Sequence, residues 1–302
     1  MLRLSLFSTL SGINRSLAVL GLAVALLLAS SSTGTAATTL LFSTGTPDGK
    51  IATLSRPAST GKLETETADD FVLGQAALVT NATFTGLFVG GATTANINDI
   101  EIELYHVFPV DSTFPPSGRV LTRTNSPSDN NFAAFDSLAG QLTFTTTVLN
   151  PAFSALNSVV NDINAPNQFT GGEGAVTGIE VQINVTFTTP FAVGATDHDF
   201  FRPEVDLGSA GNFLWLSAPK PITSPGTAFQ FPAGTTDLQT WIRNDGPGTL
   251  APDWSRVGTD ITNQGPFNAA FSLSGQVPEP SSLSLLAMGL TGIVLILLGR
   301  RK

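Results

Sequence analysis

Nine consecutive residues constrain this chain more than any other feature. In Ile179-Glu180-Val181-Gln182-Ile183-Asn184-Val185-Thr186-Phe187 every odd position is apolar and every even one polar. Side chains on a strand alternate between its two faces, so this period of two predicts a strand with one wet and one buried face. The same alternation sets Ile100, Ile102 and Leu104 against Glu101, Glu103 and Tyr105, and it returns in Phe267, Ala269, Phe271 and Leu273. Further strand candidates are 39–43, 68–73, 78–89, 119–124, 141–148, 200–205, 212–217 and 238–243. Turn residues break them, as in Pro47-Asp48-Gly49 and Asn244-Asp245-Gly246-Pro247. Residues 151–163 (PAFSALNSVVNDI) read as one short helix.

Ten to twelve short strands between residues 38 and 276 predict an all-β fold, a single β-sandwich of jelly-roll-like type. Composition agrees. Only 12% of the 302 residues are charged, while 29 are Gly and 19 Pro, a balance that suits turns and strands over charged helices. The segment 38–276 holds 9 basic and 22 acidic residues, so it lacks the basic footprint that nucleic acid requires. With no Cys and two His, the chain cannot form a disulfide scaffold, a thiol catalyst or a zinc finger. Its stability must come from an apolar core, for which this length suffices.

The two ends read as addresses. Residues 1–37 carry Arg3 and Arg15, a 14-residue apolar run from Ser16 to Ala29, and small residues at Thr35-Ala36-Ala37. That is the pattern of a signal peptide cut by signal peptidase. At the other end stand Val277-Pro278-Glu279-Pro280, an uncharged segment 281–298, and Gly299-Arg300-Arg301-Lys302. Leu283–Leu298 would form about 24 Å of helix, slightly short of the roughly 30 Å bilayer core. Its terminal cations would stay in the cytoplasm and leave the body outside.

This tail resembles the PEP-CTERM sorting signal. In that family a Pro-Glu-Pro motif, an apolar helix and a basic cluster are recognised by the membrane protease exosortase. By resemblance, Val277, Pro278, Glu279 and Pro280 form the motif, 281–298 the transmembrane helix, and Arg300, Arg301 and Lys302 the cluster. The resemblance implies a bacterium with a Gram-negative-type envelope. It further implies an inner-membrane-anchored precursor, then delivery to the cell surface or extracellular matrix. The runs 197–205 (DHDFFRPEV), 213–222 (FLWLSAPKPI), 237–244 (DLQTWIRN) and 251–261 (APDWSRVGTDI) resemble an ectodomain type that recurs among such proteins and has no assigned activity.

The body offers few signs of chemistry. Gly45–Lys50 (GTPDGK) is one residue short of a phosphate loop and is followed by Ile51, so it reads as a turn. Asp197, Asp199, Glu204 and Asp206 place four carboxylates in ten residues, a candidate Ca²⁺ site, although two-residue steps along a straight strand separate such ligands by nearly 7 Å. Glu101 with Glu103, and the Asp69-Asp70 pair, raise glycoside hydrolysis, which needs two acids across a cleft. Trp215 looks like core. Trp241 and above all Trp254, in a Pro-rich loop, are the candidate ligand contacts. The leading expectation is a non-enzymatic surface protein that contacts polysaccharide or neighbouring proteins. A jelly-roll carbohydrate hydrolase and a purely structural matrix component are the alternatives.

Overall fold

The computed structural model describes residues 37–278 except 60, 114–117, 161–168, 223–230 and 246–249. The expected signal peptide, the helix 281–298 and the motif residues Glu279, Pro280, Arg300, Arg301 and Lys302 lie outside the described residues. Among the described residues no helix is long and apolar enough to cross a membrane. Thr38–Val277 forms one compact unit.

The chain is mostly β. Its strands are β1 (Thr39–Ser43), β2 (Ile51–Leu54), β3 (Thr65–Val72), β4 (Ala77–Val89), β5 (Asp99–Val107), β6 (Pro127–Asp136), β7 (Leu142–Ala155) and β8 (Asn157–Val159). There follow β9 (Val176–Val193), β10 (His198–Asp206), β11 (Asn212–Ala218), β12 (Trp241–Asn244), β13 (Ser255–Arg256), β14 (Asn268–Ala269) and β15 (Phe271–Gln276). They form two sheets. One has six strands in the order β13-β12-β3-β10-β5-β6. The other has nine and is organised around β4, which pairs with β9 along one side and with β15 and then β11 along the other. β9 in turn pairs with β7.

The run that alternates most strictly, 179–187, lies inside β9, with Val181, Ile183, Val185 and Phe187 buried and Gln182, Asn184 and Thr186 facing out. One apolar core joins the two sheets. It contains Phe71, Ile102, Leu104, Phe201 and Val205 from the six-stranded sheet and Phe84, Ile183, Phe213, Trp215 and Phe271 from the nine-stranded one. Phe201 and Phe271 stack across it, with ring centroids 5.1 Å apart. Gly86 is demanded by this packing, because a side chain there would overlap the Phe213 ring.

β2 (Ile51–Leu54) and β6 (Pro127–Asp136) are strands outside every expected one, and three expected segments take another course. The described part of 151–163 is strand: β7 runs to Ala155 and β8 follows at once. Its Ala and Leu favour helix weakly, but pairing with β9 and, in parallel, with β2 decides the outcome. Residues 119–124 form no strand, because Arg123 is buried and gathers Ser126, Pro127, Asp129 and Asp253 around its guanidinium. The expected last strand splits at Ala270, whose carbonyl accepts bonds from Trp215 Nε1 and from the Thr85 amide instead of continuing one ladder.

Candidate functional site

The outer face of the six-stranded sheet holds a cluster of buried charge. Along β10, Phe201 and Val205 point to the inter-sheet core, so Phe200, Arg202 and Glu204 point away from it. Register then sets Arg202 opposite Glu103 and Glu204 opposite Glu101 on β5, while Arg243 on β12 faces Glu66 on β3. Arg202 is 2% exposed and reaches Glu66 (2.7 Å), Glu103 (2.8 Å), Glu64 (3.2 Å) and Glu204 (2.5 Å). Arg243 forks onto both oxygens of Glu66 and also donates to the Tyr105 hydroxyl. Tyr105 itself bonds Glu66 and Glu103.

Ionisation in this cluster is uneven. Burial works against charge on Glu66, but Arg243 and Arg202 outweigh it and hold the carboxyl at about 2. Glu204, fully buried, is raised well above the carboxylate range by desolvation, which Arg202 only partly offsets. Neither Glu204 oxygen has a hydrogen-bond partner, although Arg202 Nη1 lies 2.5 Å from Oε2 as an ion pair. Half-buried Glu101 is pushed up to about 7, first by desolvation and then by Asp99, Asp136 and Glu103, against the pull of Arg202. Thus Glu66 is an anion, while Glu101 titrates near neutrality.

Trp241 and Trp254 belong to the same face. Both are buried, at 1% and 0% exposure, in an apolar cluster with Ala68, Tyr105 and Phe200. Trp254 donates to the Ser128 carbonyl, meets Tyr105 edge to face, and lies under the Arg243 guanidinium at 4.5 Å. Neither indole presents a free face to a ligand. Trp215 is core, as expected.

The four carboxylates read as a calcium candidate do not converge. Asp197 accepts from the Gly194 amide, Asp199 bonds His106 Nδ1 at 2.7 Å, Glu204 forms an ion pair with Arg202, and Asp206 accepts from Gly208 and Asn98. Asp199 and Glu204 differ in parity along β10 and so lie on opposite faces of the sheet. Among the described residues, no group of three or more His, Asp or Glu side chains is placed to hold a metal ion. Asp69 and Asp70 diverge likewise. Asp69 ties the Ala269 amide and Thr240 to β3, whereas Asp70 bonds His198 Nε2 and the Leu238 amide. Desolvation raises both, Asp69 by more. The two histidines therefore mark two His–Asp pairs at one end of the six-stranded sheet, and His106 stacks on Phe132 at 4.1 Å.

The outer face of the nine-stranded sheet is chemically different. Register lines up Ser43, Ser272, Thr83, Asn184 and Thr145 across β1, β15, β4, β9 and β7. Flanking rows are Ser274, Asn81, Thr186 and Thr143 on one side and Thr85, Gln182 and Thr147 on the other. These twelve side chains carry hydroxyl or amide groups and no charge. Apart from buried Thr85 they are half-buried or exposed. An open groove of about 220 Å³ lies here, lined by Ser43, Pro47, Thr83, Leu149, Gln182 and Ser272. The period of two shows which residues share a face, but the rows depend on register, which no single strand reveals.

A family model described as the PEP-CTERM protein-sorting motif matches residues 276–302. The tail identified from Val277 to Lys302 is thus that motif, and the chain is an exosortase substrate of PEP-CTERM type, exported for surface or extracellular placement. Comparison with curated proteins and with solved structures gives no match.

Proposed function

We propose that this exosortase-sorted protein is a non-enzymatic surface or matrix component whose body contacts neutral polysaccharide through the outer face of the nine-stranded sheet. On this reading residues 1–37 are the signal peptide. Residues 38–276 are the ectodomain, a β-sandwich of jelly-roll type, and 277–302 are the sorting signal with its membrane helix. The observation that carries the reading is the three uncharged rows, exposed on a body whose 22 acidic residues outnumber 9 basic ones. A polymer of sugar hydroxyls matches neutral donors and acceptors spaced about 4.8 Å apart from strand to strand. Contact would run through hydrogen bonds, since Trp215, Trp241 and Trp254 are all buried. Retention of the exported protein on neutral and anionic polysaccharides tests it: Thr83→Ala with Gln182→Ala should weaken retention on the neutral polymer. Equal retention of variant and wild type would remove this face from the function. Replacing Glu279 should leave uncleaved precursor in the membrane, which tests the sorting step separately.

One observation supports a hydrolase as the second reading. Glu101 titrates near 7, as a general acid must, and stands opposite Glu204 across a β ladder. The burial of Glu204 and its pairing to Arg202 count against it. Polysaccharide cleavage lost on Glu101→Gln would favour this reading.

A further inference from the structure

A strand at the border of a sheet exposes a row of unbonded amides and carbonyls, and proteins usually blunt such edges with charge, bulges or brevity. Most border strands here follow that rule. β13 has two residues, β8 three and β1 five, while β6 has ten but carries Asp129 and Asp136 and breaks register twice against β5. β7 breaks register twice beyond Val148 and carries Pro151, but its first half, Leu142–Val148, does not follow the rule. The whole strand is 14 residues long, pairs with β9 along one side only among the described residues, and contains no Asp, Glu, Lys or Arg. Its register with β9 is unbroken from Leu142 to Val148, and Thr143, Thr145, Thr147 and Val148 on this run are exposed.

We propose that the outer edge of Leu142–Val148 pairs antiparallel with the same segment of a second copy, so that two nine-stranded sheets join into one. Charge permits this occupant, and the pairing of identical residues favours it. A second copy brings the same acidic body, and repulsion between copies is least at an edge where neither carries an ion. The segment is also self-complementary. A two-fold axis through its midpoint sets Thr145 opposite Thr145, Thr143 opposite Thr147, Phe144 opposite Thr146 and Leu142 opposite Val148. Threonine pairs meet on the face that bears the polar rows, and Leu142 meets Val148 and Phe144 meets Thr146 on the other. A single ladder of seven residues is a small interface, so pairing depends on concentration and is favoured where a sorted protein accumulates at a surface. The inference does not depend on glycan binding.

Because the chain has no cysteine, an engineered thiol reports contact without background. In the antiparallel pair the two residues at position 145 have Cα atoms about 4.5–5.5 Å apart, within disulfide reach. Full-length Thr145→Cys, exported in its native host and mildly oxidised, should give a disulfide dimer severalfold in excess of Ser209→Cys, a control on an exposed turn away from β7. Mixed copies of Thr143→Cys and Thr147→Cys should cross-link to each other more than either does to itself. They carry the test if Thr145→Cys fails to accumulate. Equal dimer from Ser209→Cys, cross-linking of position 145 only to a different protein, or self-linking of Thr143→Cys above the mixture would overturn the proposal.

Discussion

The outer faces of the two sheets rest on the same alternation yet manage polar groups in opposite ways. On the six-stranded sheet the outward residues are Glu66, Arg202, Glu204, Arg243, Tyr105, Trp241 and Trp254, and all are buried or nearly so. Buried charge is tolerable only when paired, so Arg202 gathers four carboxylates and Arg243 forks onto Glu66. On the nine-stranded sheet the three rows are neutral and, apart from Thr85, half-buried or exposed, with hydrogen bonds from Asn81 to Thr186 and from Thr83 to Asn184. Beyond them the same face carries Glu180 and a buried apolar cluster of Leu54, Leu87, Leu214 and Leu216. The first face is committed to holding the fold. The rows of the second keep exposed hydroxyls at Thr143, Thr145, Thr147 and Thr186, which is why the function is assigned there.

The sharpest way to break this contrast is to remove one buried cation. Arg202→Met should destabilise the protein by about 3–5 kcal/mol, because several carboxylates lose their common partner. Denaturant unfolding at pH 7 measures it, and a loss below about 1 kcal/mol would mean that the cluster is not structural. Trp254→Ala should cost about 3 kcal/mol through the cavity beside Tyr105 and Arg243. Polysaccharide retention by the variant that remains folded should be unchanged. Loss of retention without loss of stability would return Trp254 to the role of contact residue.

Glu101→Gln should act with the opposite sign. In the unfolded chain this carboxyl ionises near 4.5, whereas in the folded protein it keeps its proton to about 7. The folded state thus holds the extra proton between those values, and wild-type stability falls as pH rises through that window. The variant removes this dependence. It should be more stable than wild type by about 1 kcal/mol at pH 8, after allowance for solvent screening of a half-exposed group, and equal to it below pH 4.5. Melting curves at the two pH values decide the sign.

On the other face the effects on stability should be small. Thr83→Ala with Gln182→Ala should change stability by less than about 0.5 kcal/mol per site while altering retention on neutral polysaccharide. The smallest effect expected is that of calcium. Asp197, Asp199, Glu204 and Asp206 each have a partner within the chain, so millimolar calcium should leave the melting curve unmoved. A rise of several degrees would show that those partners are exchanged for the ion.

Much of this protein was legible from local chemistry alone. A strand in which odd residues are apolar has one inward face whatever it pairs with, so β5, β9 and the buried Trp215 follow from sequence. So does the sorting tail, whose recognition is written in contiguous residues from Val277 to Lys302. Register, and what covers each face, lies beyond a single strand. Arg202 and Glu66 are separated by 136 residues and share a cluster only because β3 and β10 are neighbours. Trp254 does lie in a loop, but it is no open contact residue, because Tyr105 and Arg243 close around it. The segment 151–159 became strand because β9 and β2 supplied ladders that its own weak helical preference could not match. Periodicity is a property of adjacent residues and survives any topology. Pairing and burial depend on segments far apart in the chain, and only the tertiary structure brings those together.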